Sequence, residues 1–302
     1  MKTKSEKMVR FELLNYRISP VTLIKRFIAI SYLRSVAPVF RENRSSRVAC
    51  FASEEIGIEI NVNGVYEGDH LNSLLRFLRQ INFDVSAMSF IDIGANIGNH
   101  TLFFAKHFKR GYAYEPNPDA FFLLKFNLAK DTSVDVFNFG LGEESGEVEL
   151  YQDDANLGAA TARFHGQESL TCTVPIKKLD DVYLDEHPLG LLKIDVEGME
   201  FDVLQGAKST IFNHRPVVVF EYHEAFWANS NLSPLSFFKG REYEIGWFDI
   251  SSESKSKVEQ LFSRMTEIFL GRELKFDLIF GEKIPNRSHT MLVAVPSERL
   301  NR

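Results

Sequence analysis

The residues best suited to chemistry sit at the ends of short apolar runs. Phe90-Ile91-Asp92-Ile93-Gly94-Ala95-Asn96-Ile97-Gly98-Asn99-His100-Thr101 reads as a strand ending in an acid, a Gly/Asn turn and the start of a helix. That order predicts free backbone N–H groups and a close-approach loop at the carboxyl edge of a sheet, where nucleotide-like cofactors are held. Tyr112-Ala113-Tyr114-Glu115-Pro116-Asn117 ends the next run with a carboxylate 23 residues after Asp92, and its two oxygens can accept both hydroxyls of a ribose. Lys193-Ile194-Asp195-Val196-Glu197 and Val219-Phe220-Glu221-Tyr222-His223 end two further runs. Residues two apart in an extended chain share a face, so Asp195/Glu197 and Glu221/His223 can each converge on one pocket. Two uses stay open. One of Asp195, Glu221 and His223 is a general base, with Asp195 the first candidate; alternatively Asp195, Glu197 and Glu221 hold a divalent metal through oxygen. Glu197 also reads as a cap for the helix beginning near Gly198. The other histidines show no ligand spacing, and His100 alone among them falls where it can line the cofactor pocket.

The glycine spacing narrows the cofactor. A dinucleotide turn wants Gly at i, i+2 and i+5, and these positions hold Gly94, Asn96 and Asn99. Asp-x-Gly-x-Asn-x-Gly instead resembles the motif of class I S-adenosylmethionine-dependent methyltransferases, since Asn also tolerates the left-handed region. The resemblance implies that Asp92 sits near the cofactor's amino-acid moiety and that Gly94, Ala95, Asn96 and Gly98 carry the cofactor. Asn99, His100 and Thr101 open the helix beside it, while Glu115, Pro116 and Asn117 hold the ribose. Leu141 packs on the adenine, and Asn138 supplies polar contacts there. Lys-Ile-Asp-Val-Glu-Gly-x-Glu at 193–200 and Leu-x-Gly-Ala at 204–207 follow in order. Together with the first two motifs they resemble the FkbM family of methyltransferases, and Gly64-Val65-Tyr66-Glu67 also fits, which adds Glu67 to the cofactor residues. The likeness covers roughly residues 56–225. It implies transfer of a methyl group from S-adenosyl-L-methionine to a hydroxyl of a sugar, glycolipid or natural product, and a seven-stranded sheet. Lys193–Gly198 is unlike the Asn/Asp-Pro-Pro-Tyr/Phe of base-methylating enzymes, which disfavours a nucleobase amine.

These groups need elements to hold them. Ser89–Ile93, Gly111–Glu115, Val134–Phe139, Leu191–Asp195 and Val217–Tyr222 read as strands alternating with helices at Asn99–His107, Asp119–Lys130 and Glu200–Ala207. Strands apolar on both faces and separated by helices imply an α/β, doubly wound, Rossmann-like parallel sheet. Upstream, Val48–Phe51 and Ile56–Val62 read as strands, with Asn63-Gly64 as a hairpin turn. Leu71, Leu74, Leu75 and Leu78 mark one helical face. Val148–Tyr151 and Thr171–Ile176 read as strands flanking a loop at 153–170, and Tyr243–Ile250 and Thr290–Val295 as strands around a helical span, Ser254–Leu270. Residues 18–40 predict an amphipathic helix begun near Pro20 and stopped near Pro38. The organisation is thus a basic helical extension over 1–46 and a catalytic domain over 47–302, with core motifs at 56–225 and a C-terminal strand pair at 243–296.

Composition sets the frame. The 302 residues are 44 % hydrophobic and 25 % charged, which excludes disordered and disulfide-scaffold classes. The net charge of −6 divides unevenly: residues 1–50 hold eleven Lys/Arg against Glu6, Glu12 and Glu42, a net +8, leaving −14 for the rest. An acidic body argues against duplex DNA as a partner. Cys50 and Cys172 read as reduced thiols, and neither a cleaved signal nor a membrane span is written in the sequence, so the expectation is a cytoplasmic protein, peripheral to a membrane if its N-terminal helix lies on one. That helix offers contact to a membrane surface or to a partner subunit, including a second copy in a homo-oligomer. Phe226, Trp227 and Trp247 are candidates to stack on a small-molecule or glycan acceptor. Two rival functions remain at this level: a catalytically silent scaffold that keeps the cofactor site, and an RNA methyltransferase using the basic arm.

Overall fold

The computed structural model describes residues 19–43, 48–51, 54–152, 160–161, 169–183, 187–227, 232–251, 275–281 and 284–300. The predicted helix at 254–270 and nearly all of the predicted 153–170 loop lie outside these. The chain forms two compact units, Met1–Ser45 and Ser46–Arg302. The first carries helix α1 (Pro20–Asn43), which continues through Pro38 instead of stopping there. A proline removes one N–H from the ladder, and the turns on either side carry the helix on. Val21, Ile24, Phe27 and Ile28 of α1 are exposed. Among the described residues, no helix is long and apolar enough to cross a membrane.

The second unit is an α/β domain. Its strands in chain order are β1 (Ser89–Ile93), β2 (Arg110–Tyr114), β3 (Val134–Phe137), β4 (Gly140–Leu141), β5 (Gly146–Gln152), β6 (Ala160–Thr161), β7 (Ser169–Lys177), β8 (Leu189–Ile194), β9 (Val217–Tyr222), β10 (Tyr243–Ser251), β11 (Lys275–Phe280) and β12 (His289–Pro296). The main sheet has eight strands in the order β11-β10-β12-β9-β8-β1-β2-β3. The five from β9 to β3 run parallel, and β12, β10 and β11 add on antiparallel. The strand beyond the expected seven is β11, whose Phe276, Leu278 and Phe280 alternate with polar or exposed neighbours, the period of a half-covered edge strand. A separate small sheet, β4-β7-β5-β6, is inserted between β3 and β8.

Both faces of the main sheet are covered, and the side-chain period of two sorts residues between them. Phe90, Leu191, Val217 and Val219 pack into one core with Leu71, Leu74 and Leu78 of α3 (Gly68–Gln80). Ile91, Leu192, Val218 and Phe220 pack into the other with Val203 and Leu204 of α7 (Glu200–Gly206). Trp247 is part of that second core, so it has no face to offer an acceptor.

The stretch after residue 50 departs from the sequence expectation. Ile56–Val62 lies within a helix, α2 (Glu55–Asn63), and no strand forms at 48–51. Apolar residues at 56, 58, 60 and 62 mimic a strand, but Gly57 and Ile60, spaced for one helical face, are the buried pair. Gly64 is a helix stop instead of a hairpin turn: at φ 92° its N–H donates to the Ile60 carbonyl.

Candidate functional site

The chain visits β1, β2 and β3 in one direction and returns to β8 on the other side of β1, so a crevice opens at the carboxyl ends of β1 and β8. The two ends are tied there by the Asp195 N–H donating to the Ile93 carbonyl at 3.0 Å. The turn after β1 alternates into positive φ at Gly94 (73°), Asn96 (50°) and Gly98 (89°). Gly94 has no alternative, because a Cβ there would lie 1.7 Å from the Asp195 carbonyl oxygen. Four of the turn's N–H groups are engaged within the protein. Gly94 and Ala95 donate to the Tyr114 carbonyl, Asn96 to Glu115 Oε2 and Gly98 to the Ala95 carbonyl. The end of β2 takes three of these donors.

Glu115 is 6 % exposed and bonds through each oxygen once: Oε2 accepts from the Asn96 N–H at 2.7 Å and Oε1 from the Asn117 N–H at 2.8 Å. A lone pair on each oxygen is left for a diol. Burial pushes its carboxyl up to about 7, against the opposing pull of those two N–H groups. Asn138 and Asn117 serve this strand end without lining the cleft. Asn138 Nδ2 donates to the Glu115 and Pro116 carbonyls, and Asn117 Oδ1 caps α5 (Pro118–Asn127) by accepting from Asp119 N–H. Pro116 and Leu141 do line it, as do Gly94, Ala95, Asn96, Asn99, His100 and Glu115.

Asp92 is fully buried and turned away from the cleft. Its Oδ2 accepts from the Thr101 hydroxyl at 2.6 Å, and its Oδ1 lies 3.1 Å from Lys193 Nζ. Lys193, unremarked at the sequence level, organises the strand ends. Its ammonium also meets Asp195 Oδ2 at 3.2 Å and the Gly94 carbonyl at 3.2 Å. Burial alone would lower its pKa, but Asp195 and Asp92 outweigh that and hold it above its ordinary value. The available signal was its place within Leu189–Ile194, a strand buried at every position, where a charge must be paired.

The wall opposite comes from the turn between α2 and α3. Asn99 exchanges hydrogen bonds with Tyr66, accepting from its N–H at 3.1 Å and donating to its carbonyl at 2.9 Å. Tyr66 stacks on His100, and His100 Nε2 lies 3.2 Å from Glu67 Oε2. Glu67 reaches this position from the left-handed region, at φ 55°.

At the mouth, Asp195, Glu197 and Glu221 line the cleft and His223 stands behind Glu221, with Nε2 3.1 Å from Glu221 Oε1. Asp195 and Glu221 hydrogen-bond each other. Burial raises Glu221 well above the usual carboxylate range, and the charges of Asp195, Glu197 and Glu200 raise it further. Burial pushes Asp195 up, but Lys193, His100 and the hydrogen bond from Glu221 together outweigh it and hold Asp195 below its ordinary value. The pair therefore shares one proton, carried by Glu221. Phe226 packs its ring against His223, whereas Trp227 is buried and unavailable for stacking on an acceptor. Among the described residues neither Cys50 nor Cys172 forms a disulfide, and both are half-buried.

Comparison with known proteins finds related sequences and structures. The family model described as the methyltransferase FkbM domain matches residues 92–273. Methyltransferase 1 of Beauveria bassiana is 32 % identical over 142 residues, covering 38 % of this chain and 57 % of that protein. The hexuronic acid methyltransferase AglP of Haloferax volcanii is 28 % identical over 130 residues, covering 42 % and 53 %. The chain thus spans little more than half the length of these relatives. The crystal structure of methyltransferase FkbM from Methylobacillus flagellatus aligns with a TM-score of 0.41 at 16 % identity, covering 88 % of this chain and 58 % of that one.

Proposed function

Because the chain belongs to the FkbM methyltransferase family, we propose that it transfers the methyl group of S-adenosyl-L-methionine to a hydroxyl oxygen of a sugar, glycolipid or natural-product acceptor. The observation that carries this reading is one cleft with two unlike ends. At one end Glu115 keeps a spare lone pair on each oxygen beside the Gly94–Gly98 turn and Leu141; at the other, Asp195, Glu197 and Glu221 gather at the mouth. The name of the Haloferax relative, a hexuronic acid methyltransferase, favours a sugar-like acceptor.

In such a transfer a lone pair of the acceptor oxygen attacks the sulfonium methyl in line, the S–CH₃ bond breaks with its electrons going to sulfur, and S-adenosylhomocysteine leaves. The hydroxyl proton needs a receiver, and Asp195, ionised and at the cleft, is that group. The protein's part is alignment, exclusion of water and proton transfer.

Calorimetry with S-adenosylhomocysteine tests the cofactor half. Binding is expected, and it should be about tenfold weaker at pH 6 than at pH 8, because Glu115 must be ionised to accept two hydroxyls and its carboxyl titrates at about 7. Glu115→Gln should weaken binding at pH 8 by about 10- to 100-fold, the worth of hydrogen bonds to a charged group, and flatten the pH dependence. Absence of binding at millimolar ligand would remove the proposal.

A further inference from the structure

We infer that Glu197, Glu221 and His223 form a divalent-cation site at the mouth of the cleft. One ligand atom from each lies within 4.8 Å of the others, and the three come from the loop after β8 and the end of β9. Donors on one small divalent ion sit at about 2.1 Å from it, hence roughly 3–4 Å apart, so side-chain rotation closes the set without moving the backbone. Two carboxylates and an imidazole suit a manganese- or magnesium-like ion. Three protein donors leave positions open for an acceptor's oxygens.

Asp195, grouped with Glu197 and Glu221 in the sequence reading, drops out of the ligand set. Lys193 Nζ occupies its Oδ2 at 3.2 Å, and a metal there would face an ammonium. His223 takes its place.

Glu200 provides a second, independent observation. It is 2 % exposed and acts electrostatically on Glu221, and while its Oε1 accepts from the Gly198 N–H at 2.9 Å, its Oε2 has no hydrogen-bond partner. A buried carboxylate oxygen left in that state is costly. Burial pushes the Glu200 carboxyl up to about 7, and a cation at the nearby triad would favour its ionised form. On the reading proposed above, the ion would gather acceptor oxygens beside the methyl group and leave Asp195 free to receive the proton.

The test is direct binding of Mn²⁺ to the full chain, stripped with chelator and supplemented with S-adenosylhomocysteine, followed by the loss of the free-ion electron paramagnetic resonance signal. One saturable Mn²⁺ per chain is expected, displaced by Mg²⁺. Glu197→Gln and His223→Ala, each checked for folding by thermal unfolding, should weaken it at least about tenfold while S-adenosylhomocysteine affinity stays within about threefold. Non-saturable binding in folded protein, or binding indifferent to both substitutions, overturns the site. A chain that binds Mn²⁺ through these residues but no S-adenosylhomocysteine would leave the cation site standing and sink the methyltransferase reading instead.

Discussion

Lys193→Met is expected to destabilise the protein by about 3–5 kcal/mol, the usual result of removing one partner from a buried charge cluster. Lys193 is 6 % exposed, and its ammonium is shared by Asp92 Oδ1, Asp195 Oδ2 and the Gly94 carbonyl, all within 3.2 Å. A methionine of similar length fills the space and leaves the fully buried Asp92 and the half-exposed Asp195 without the cation they share. The loss also has a direction. Asp92 fixes Thr101 at the start of α4 (Asn99–Phe104), Gly94 begins the turn, and Asp195 follows directly on β8, so one side chain joins the three segments that form the floor of the cleft. The melting temperature should fall by about 10 °C, given roughly 2–4 °C per kcal/mol for a domain of this size. S-adenosylhomocysteine affinity should fall by at least about tenfold in whatever fraction stays folded. A shift below 2 °C with unchanged affinity would show that the ammonium is not the keystone of the strand ends. Lys193→Arg should restore part of the stability but not the affinity, since a planar fork cannot point at three acceptors arranged around an ammonium.

Why Lys193 escaped the sequence reading while Asp92, Glu115 and Asp195 did not is a matter of what each residue's position implies. The three acids end apolar runs, a pattern that only a parallel sheet's carboxyl edge explains, and their order along the chain sets their order around the crevice. Lys193 lies inside the run, where a cation is ordinarily read as a solvated surface group. Only knowledge that Leu189–Ile194 is buried at every position turns it into a demand for partners. The misreading of Ile56–Val62 has a different origin. Glu55–Asn63 satisfies period two and period three to four at once, and Asn63-Gly64 can end a helix as readily as it turns a hairpin. The choice was made by tertiary packing, which needed Ile60 under the domain and the following turn, with Tyr66 and Glu67, against Asn99 and His100. The exchange of Asp195 for His223 in the proposed cation site likewise depended on a contact: the period of two puts Lys193 and Asp195 on one face, but only the packing shows that the ammonium holds Asp195 Oδ2.

Asp195→Asn is expected to lower kcat by about 10²- to 10⁴-fold, the usual worth of a positioned proton acceptor, with S-adenosylhomocysteine affinity kept within about threefold. The substitution keeps the shape and one carbonyl oxygen for Lys193, and its amide can still bond Glu221, so the strand end should hold. What disappears is the anion. Lys193 keeps Asp195 ionised, which makes it a weak base toward a free sugar hydroxyl. Weakness is no handicap late in the displacement, because an oxygen already bonded to the incoming methyl carries positive charge and gives up its proton readily. Glu221 cannot substitute: with no cation bound, burial and its acidic neighbours keep its proton in place, and in the proposed cation site it is a ligand. Single-turnover measurement at saturating cofactor separates the step from product release. A variant retaining more than about a tenth of the parent rate would move the proton to His223 or to solvent, and a parallel loss of S-adenosylhomocysteine affinity would make Asp195 a cofactor ligand instead of a base.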